Sequence, residues 1–431
     1  MKVCVFGLWH LGSVTAACLA DAGFETVGLD PNRQTIESLN AGKPTLFEPG
    51  LENLVGAGLA TGKLSFSDAL ADVANADVVW VTFDTPVDDD DRADIDFVTG
   101  QIISIFPHLK DGAVVLVSSQ MPVGTMANIE ARFAELSDDR KINFACSPEN
   151  LRLGKAIEVF RNQERIVVGS RDGADKAVLS ELLAPFSNTI LWVGTESAEI
   201  SKHALNAFLA ASITFMNEVA MVCEKTGADV KEVERALRSE PRIGKNAYIR
   251  PGGAFAGGTL ARDVTFLTEL ARTNGLPLEM ISGILESNRF HSGWTLRRVC
   301  DVLGDLEGRH IAVLGLTYKP GTDTLRRSLS VNLCRDIASQ GALVTAFDPV
   351  VSEFPEAPET LGLAGSALEA LEGADALLVM TEWPEFKSLG VEELIVRMEK
   401  PFIFDQNGFL GHLADDDRIK YITVGRVAGD T

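Results

Sequence analysis

The chain has 431 residues, 46% of them hydrophobic and 23% charged, which supplies apolar material for two or three packed domains and excludes a disordered chain. Its 61 acidic against 39 basic residues leave a formal charge of −22, the wrong sign for a protein that tracks a phosphate backbone, so no nucleic-acid partner is expected. No uninterrupted apolar run approaches the ~18 residues of a membrane span, so no membrane partner is expected either.

The opening MKVCVFG runs straight into a buried-strand pattern with no signal-peptide series, and the six cysteines (Cys4, Cys18, Cys146, Cys223, Cys300, Cys334) show neither metal-type pairing nor disulfide spacing. A cytoplasmic protein without a metal is expected. Short apolar runs at 2–6, 26–29, 78–82, 113–117, 143–145 and 165–168 alternate with amphipathic helices, the pattern of a parallel sheet covered on both faces. The DDDD run at 88–91 reads as a solvated loop.

Near Gly194 the rhythm changes. ESAEISKHALNAFLAASITFMNEVAMVCEKTG keeps helical spacing for more than twenty residues until Gly227, and DVTFLTELARTNG follows with the same period. From His310 strand and helix alternate again through HIAVLGL, SVNLCRDIASQG, LVTAFDP, ADALLVM and PFIFD. The expected fold class is α/β: two Rossmann-like doubly wound lobes, 1–194 and 297–431, joined by a long central helix and helical middle domain over 195–296.

The first strand leads into GLWHLG, where Gly7 and Gly12 stand at the first and third positions of a dinucleotide turn and Trp9 occupies the second. Asp30, about 20 residues on, ends the second strand where an acid takes a ribose hydroxyl, which argues for NAD; Arg33 nearby would soften that preference. A turn serving packing alone, with Trp9 capping an empty crevice, is the competing reading.

Four further stretches, SSQMPVGT, SPENLRLGKAIEVFRNQERIVVG, AEISKHALNAFLAASITFMNEVA and PGGAFAGGTLARDV, occur in the order seen in the UDP-glucose/GDP-mannose dehydrogenase family, which the chain resembles over nearly its whole length; LGLTYKPGTDTLRRS, AFDP and TEWPEF extend the match. The resemblance implies an NAD lobe, a dimerising central helix and a nucleotide-sugar lobe, in enzymes that oxidise a sugar C6 alcohol twice and supply precursors of polysaccharides or glycoconjugates. It implies that Lys202 and Asn206, four apart on one helix face, stabilise charge on the C6 oxygen. Asp263 with the Ser119 hydroxyl would order a water for proton transfer, and Glu149 would serve hydrolysis of a covalent intermediate. Leu151, Tyr248, Phe255, Gly257 and Lys319 fall on nucleotide-sugar contacts. Leu11, Thr85 and Arg326 join Gly7, Trp9, Gly12, Asp30 and Arg33 on the cofactor side. Taken alone, Lys202 reads as a solvated lysine, Glu149 as a loop carboxylate, and Tyr248 and Phe255 as packing.

The departures from the family pattern bear on activity. PGGAFAGGTLARD aligns without a gap to a stretch of the form PGFGFGGSCFPKD, so Thr259 stands on the catalytic cysteine, with Arg262 for lysine, Ala256 for glycine and Ala261 for proline. A thiolate traps the intermediate aldehyde; a threonine hydroxyl needs a strong adjacent base to do so. Three readings follow: one oxidation ending at a 6-aldehyde; a full oxidation through the hydrated aldehyde or another thiol, of which Cys146 is nearest in sequence to a matched residue; or a retired catalyst that binds nucleotide sugar and regulates or scaffolds a partner. The retained Lys202, Asn206, Asp263, Glu149 and Asp30 favour an active oxidoreductase. Asn150 for a common phenylalanine, and Asp405-Gln406-Asn407 where an arginine often precedes the asparagine, leave the sugar open, with UDP-glucose as the default.

Overall fold

A computed structural model describes residues 1–86, 93–136, 139–149, 151–171, 173, 175–354 and 357–426. The acidic run at 88–91 and Asn150 lie outside the described residues. The chain separates into two compact units, Met1–Leu205 and Asn206–Thr431.

The first unit is built on eight strands: β1 (Lys2–Phe6), β2 (Glu25–Leu29), β3 (Leu64–Ser67), β4 (Val78–Val81), β5 (Val114–Val117), β6 (Asn143–Cys146), β7 (Ile166–Ser170) and β8 (Ile190–Val193), in the order β3-β2-β1-β4-β5-β6-β7-β8. Helices on both faces leave the central strands no wet side, so VVWV and VVLV are buried at every position. All pairs are parallel except β6 with β7, where the 147–165 connection returns the chain antiparallel to β6. β3 and β8 go unannounced in the sequence because both are edge strands with exposed alternate or partly buried positions.

The second unit carries β9 (His310–Leu314), β10 (Leu343–Phe347), β11 (Leu361–Leu363), β12 (Ala376–Val379), β13 (Phe402–Asp405) and β14 (Lys420–Ile422), all parallel, in the order β11-β10-β9-β12-β13-β14. This is the doubly wound order in which ligands bind outside the carboxyl ends of the strands where the order reverses. In the first sheet the reversal falls between β1 and β4, in the second between β9 and β12.

A central helix, Thr195–Thr226, runs for 32 residues until Gly227 turns left-handed at φ +77°. By length and composition alone it is apolar enough to cross a membrane, although polar residues interrupt its apolar run throughout. It also buries His203, Asn206 and Asn217. Helices Val230–Ser239, Thr259–Thr273, Glu279–Ser292 and Trp294–Leu303 follow.

Candidate active site

The dinucleotide turn is specified by close packing. Gly7 sits at φ +99°, and a Cβ there would lie 2.8 Å from the Phe83 nitrogen; a Cβ at Gly12 would lie 1.8 Å from the Gly7 carbonyl oxygen. Thr82 Oγ1 donates to the same carbonyl at 2.8 Å, and Ser13 Oγ to that of Leu8 at 3.0 Å. Trp9 has φ −74°, so its backbone needs no glycine, and its side chain is half exposed at the start of helix His10–Asp21. Asp30, 9% exposed, accepts from Leu8 N at 2.7 Å and from Asn32 N at 2.8 Å, one bond per carboxylate oxygen. Each oxygen therefore keeps a lone pair for a ribose hydroxyl.

The corresponding acid of the second sheet, Asp348, is more heavily committed: Leu316 N, Thr317 N, Thr317 Oγ1 and Trp383 Nε1 all donate to its Oδ2, and Val350 N to its Oδ1. The two turns look alike, but Asp348 accepts five hydrogen bonds, four of them at one oxygen, where Asp30 accepts two. Arg33 is exposed and paired with Glu37 at 3.0 Å. Thr85 Oγ1 donates to Gln120 O at 2.6 Å, and Leu11 is partly exposed in the first helical turn. These residues fit a dinucleotide.

Ser119, Glu149 and Lys202, far apart in sequence, line one cavity of about 30 Å³ with Cys146, Glu199 and His203. Ser119 Oγ is buried there without a hydrogen-bond partner among the described residues. Glu149 accepts the Leu151 amide, and Leu151 packs on the core of this unit. Glu199 fixes the start of helix Thr125–Ala134 by accepting from Gly124 N at 2.7 Å and Met126 N at 2.9 Å; burial holds its carboxyl above the ordinary value. Glu48, 4% exposed, accepts from His10 Nε2 at 2.9 Å and from Gly154 N and Ala156 N at 2.8 Å, tying the first helix to the loop after Leu151. Neither glutamate carried a sequence signal.

Cys146 lines this cavity, but burial pushes its thiol up to about 12 and Sγ lies 3.5 Å from Thr195 O. Burial of this kind disfavours the thiolate on which nucleophilic attack depends.

In the second unit Asn206 donates its amide to the fully buried carboxylate of Asp263. Thr259, one helical turn before Asp263, is the first residue of helix Thr259–Thr273, preceded by Gly258 at φ +109°. Its exposed hydroxyl has no base or other hydrogen-bond partner among the described residues.

Tyr248, Phe255 and Lys319 line a cavity of about 640 Å³ at the carboxyl ends of β9, β12 and β13; Gly257, Thr259 and the exposed Arg326 are not in its lining. One wall is the 252–255 backbone, held by side chains from three places. Asn217 accepts from Gly252 N at 3.1 Å and donates to Gly253 O at 3.3 Å. Asn407 accepts from Gly253 N at 2.8 Å, and Asn288 both accepts from Phe255 N at 3.0 Å and donates to Phe255 O at 2.8 Å. His291, 3% exposed, meets Gly252 O at 2.8 Å through Nε2, which must carry the proton since a carbonyl only accepts. Sequence reading missed Asn217, Asn288 and His291 because a lone Asn or His on a helix looks like any polar helix residue, and it met Asn407 only as a departure from the family pattern, not as a wall residue.

Two doubly wound sheets, one with an open ribose acceptor at its glycine turn and one with a large polar cavity, define a dinucleotide-dependent dehydrogenase with a separate substrate lobe. The chain matches the UDP-glucose/GDP-mannose dehydrogenase family in its NAD binding domain over residues 1–187, its central domain over 196–290 and its UDP binding domain over 312–412. It is 34% identical to a UDP-glucose 6-dehydrogenase of Rhizobium meliloti across 99% of this chain and 100% of that one, and 33% identical to a UDP-glucose 6-dehydrogenase of Pseudomonas aeruginosa across 94% and 93%. A UDP-glucose dehydrogenase structure from Pyrobaculum islandicum superposes with a TM-score of 0.86 at 29% identity, covering 99% of this chain and 98% of that one. The chain belongs to the UDP-glucose/GDP-mannose dehydrogenase family, and is an NAD-dependent nucleotide-sugar dehydrogenase.

Proposed function

We propose that this enzyme oxidises the C6 alcohol of a nucleoside-diphosphate sugar, UDP-glucose being the first candidate, and stops at the 6-aldehyde. The observation that carries the stop is Thr259: an exposed residue whose hydroxyl has no hydrogen-bonded base among the described residues, where the family stretch has cysteine.

Bound at the Gly7 turn, NAD supplies the hydride acceptor. Lys202 and Asn206, one turn apart on the central helix, hold the oxygen that becomes an alkoxide, as preorganised donors do best. Asp263, bonded to the Asn206 amide, serves the water that takes the alcohol proton, the role that the family pattern also gives to the Ser119 hydroxyl. Arg326 serves the cofactor, while Leu151, Tyr248, Phe255, Gly257 and Lys319 position the nucleotide sugar, with Lys319 as a cation for the diphosphate. The reaction balances as alcohol plus NAD⁺ giving aldehyde, NADH and one proton. Glu149, matched to hydrolysis of a covalent intermediate, has no such intermediate to act on in this scheme.

Two copies pair through the central helix, whose Phe208, Phe215 and Val222 are exposed at seven-residue spacing. All six cysteines are unpaired thiols, which fits a cytoplasmic enzyme working in supply of polysaccharide or glycoconjugate precursors.

The test is stoichiometric: NADH formed per UDP-glucose consumed at completion, with hydroxylamine capture and the product's mass. One NADH and a captured aldehyde support the proposal, and two NADH with a uronic acid overturn the stop. No NADH from any nucleotide sugar, with binding retained, would favour a binding-only regulator. Thr259→Cys is expected to raise the yield from one NADH to two, because a helix N-terminus lowers a thiol's pKa.

A further inference from the structure

The substrate-lobe cavity contains one carboxamide that the protein itself leaves uncommitted. Asn217, Asn288 and Asn407 all spend their amides on the 252–255 backbone. Gln406, next to Asn407 and at the carboxyl end of β13, lines the cavity with no hydrogen bond to any described residue.

Its place is set by a glycine. A Cβ on Gly253 would lie 2.7 Å from Gln406 Nε2 and 3.2 Å from Oε1, so the amide occupies the space where any side chain at 253 would begin. Gly253 does not have a left-handed φ, so space and not backbone geometry restricts the position. The two residues coincide with two departures from the family pattern: in the aligned stretches PGGAFAG and PGFGFGG an aromatic stands at the place of Gly253, and an arginine is common at the place of Gln406. In the fold these two sequence changes, 153 residues apart, are a single change in one cavity wall, an aromatic and a cation giving way to a neutral amide.

We propose that Gln406, admitted by Gly253, is a specificity-determining residue whose carboxamide hydrogen-bonds a neutral donor–acceptor edge of the nucleotide sugar. A carboxamide presents one acceptor oxygen and two donors, which suits an imide edge of a pyrimidine or a pair of sugar hydroxyls, and being uncharged it lacks the cation that a diphosphate favours. The proposal rests on the reading of this cavity as the nucleotide-sugar site, and the experiment separates the two.

Isothermal titration of the full-length protein with UDP-glucose and with UDP alone is run on the native chain, Gln406→Ala, Gly253→Ala and Lys319→Ala. Gln406→Ala is expected to weaken UDP-glucose binding about 3- to 15-fold, the worth of one or two neutral hydrogen bonds. Gly253→Ala, whose new methyl displaces the amide, should weaken it to a similar degree. NAD affinity and Tm should be unchanged in both, which a merely structural role would not allow. A loss shared by UDP assigns the contact to the nucleotide, and a loss confined to UDP-glucose assigns it to the sugar; either supports the proposal. If Lys319→Ala weakens binding while Gln406→Ala stays within twofold of native, the Gln406 assignment falls and the cavity reading stands. If neither substitution weakens binding, or if the native chain binds neither probe, the cavity reading falls and takes the assignment with it.

Discussion

A Cβ on Gly12 would lie 1.8 Å from the Gly7 carbonyl oxygen, which is backbone and cannot swing aside as a side chain would. Gly12→Ala is therefore expected to lose about 3 kcal/mol of stability, at the upper end of overpacking costs, and to abolish NAD binding with it. Trp9 is the opposite case: half exposed, φ −74°, making no side-chain cap bond. Trp9→Gly should stay within about 1 kcal/mol of native, since glycine is itself an acceptable N-cap. Urea denaturation of the two variants checks both. The difference shows what a sequence motif conceals: the middle position of the turn tolerates bulk when the side chain can leave into solvent, and the third never does. Asp30 and Asp348 make the same point about acids. Both end the second strand of a doubly wound sheet, but Asp348 accepts five hydrogen bonds, four of them at Oδ2, while Asp30 accepts one at each oxygen.

Two elements carry predictions of their own. The central helix exposes Phe208, Phe215 and Val222 at seven-residue spacing, and Phe215→Glu is expected to convert the proposed dimer to a monomer in sedimentation equilibrium, with helix content retained. The 252–255 wall depends on helix Glu279–Ser292, whose His291 is buried, donates to Gly252 O, and is held below its ordinary pKa by burial, with Glu224 favouring and Arg297 opposing the charged form. Below about pH 6.5 the unfolded chain takes up a proton on this histidine that the folded chain refuses, so stability rises with pH there and falls as pH drops from about 6.5 towards the lower folded value. The slope is at most about 1.4 kcal/mol per pH unit from this one group. His291→Gln keeps a donor for Gly252 and does not titrate, so its stability curve should be flatter than native in that window. The central helix and the glycine turn were legible because period, length and spacing speak for themselves. The edge strands β3 and β8 were not, since exposed edge positions break the apolar run, and neither was the wall of Asn217, Asn288, His291 and Asn407. Those four matter only through backbone groups that the fold brings to them from 35, 33, 39 and 154 residues away.

For the whole molecule the governing quantity is charge. At −22 the protein repels both NAD and a nucleoside-diphosphate sugar at long range. Within the large cavity Arg238 is paired with Glu234 at 2.7 Å and Arg250 with Glu382 at 3.4 Å, whereas Lys319 has no ion pair among the described residues. Two of three cavity cations are thus locally neutralised, and little positive field extends outward to steer an anion in. Salt acts differently on the two ranges: the Debye length shrinks from about 30 Å at 0.01 M to about 8 Å at 0.15 M, which screens the overall repulsion but scarcely touches a contact of a few ångströms at Lys319. The association rate of UDP-glucose is therefore expected to rise severalfold over that range while its dissociation rate changes little, the reverse of an electrostatically steered enzyme. Stopped-flow measurement at several ionic strengths decides it. An association rate that falls with salt would mean that the cavity cations outweigh the acidic surface at distance, and Lys319→Ala should then remove the salt dependence.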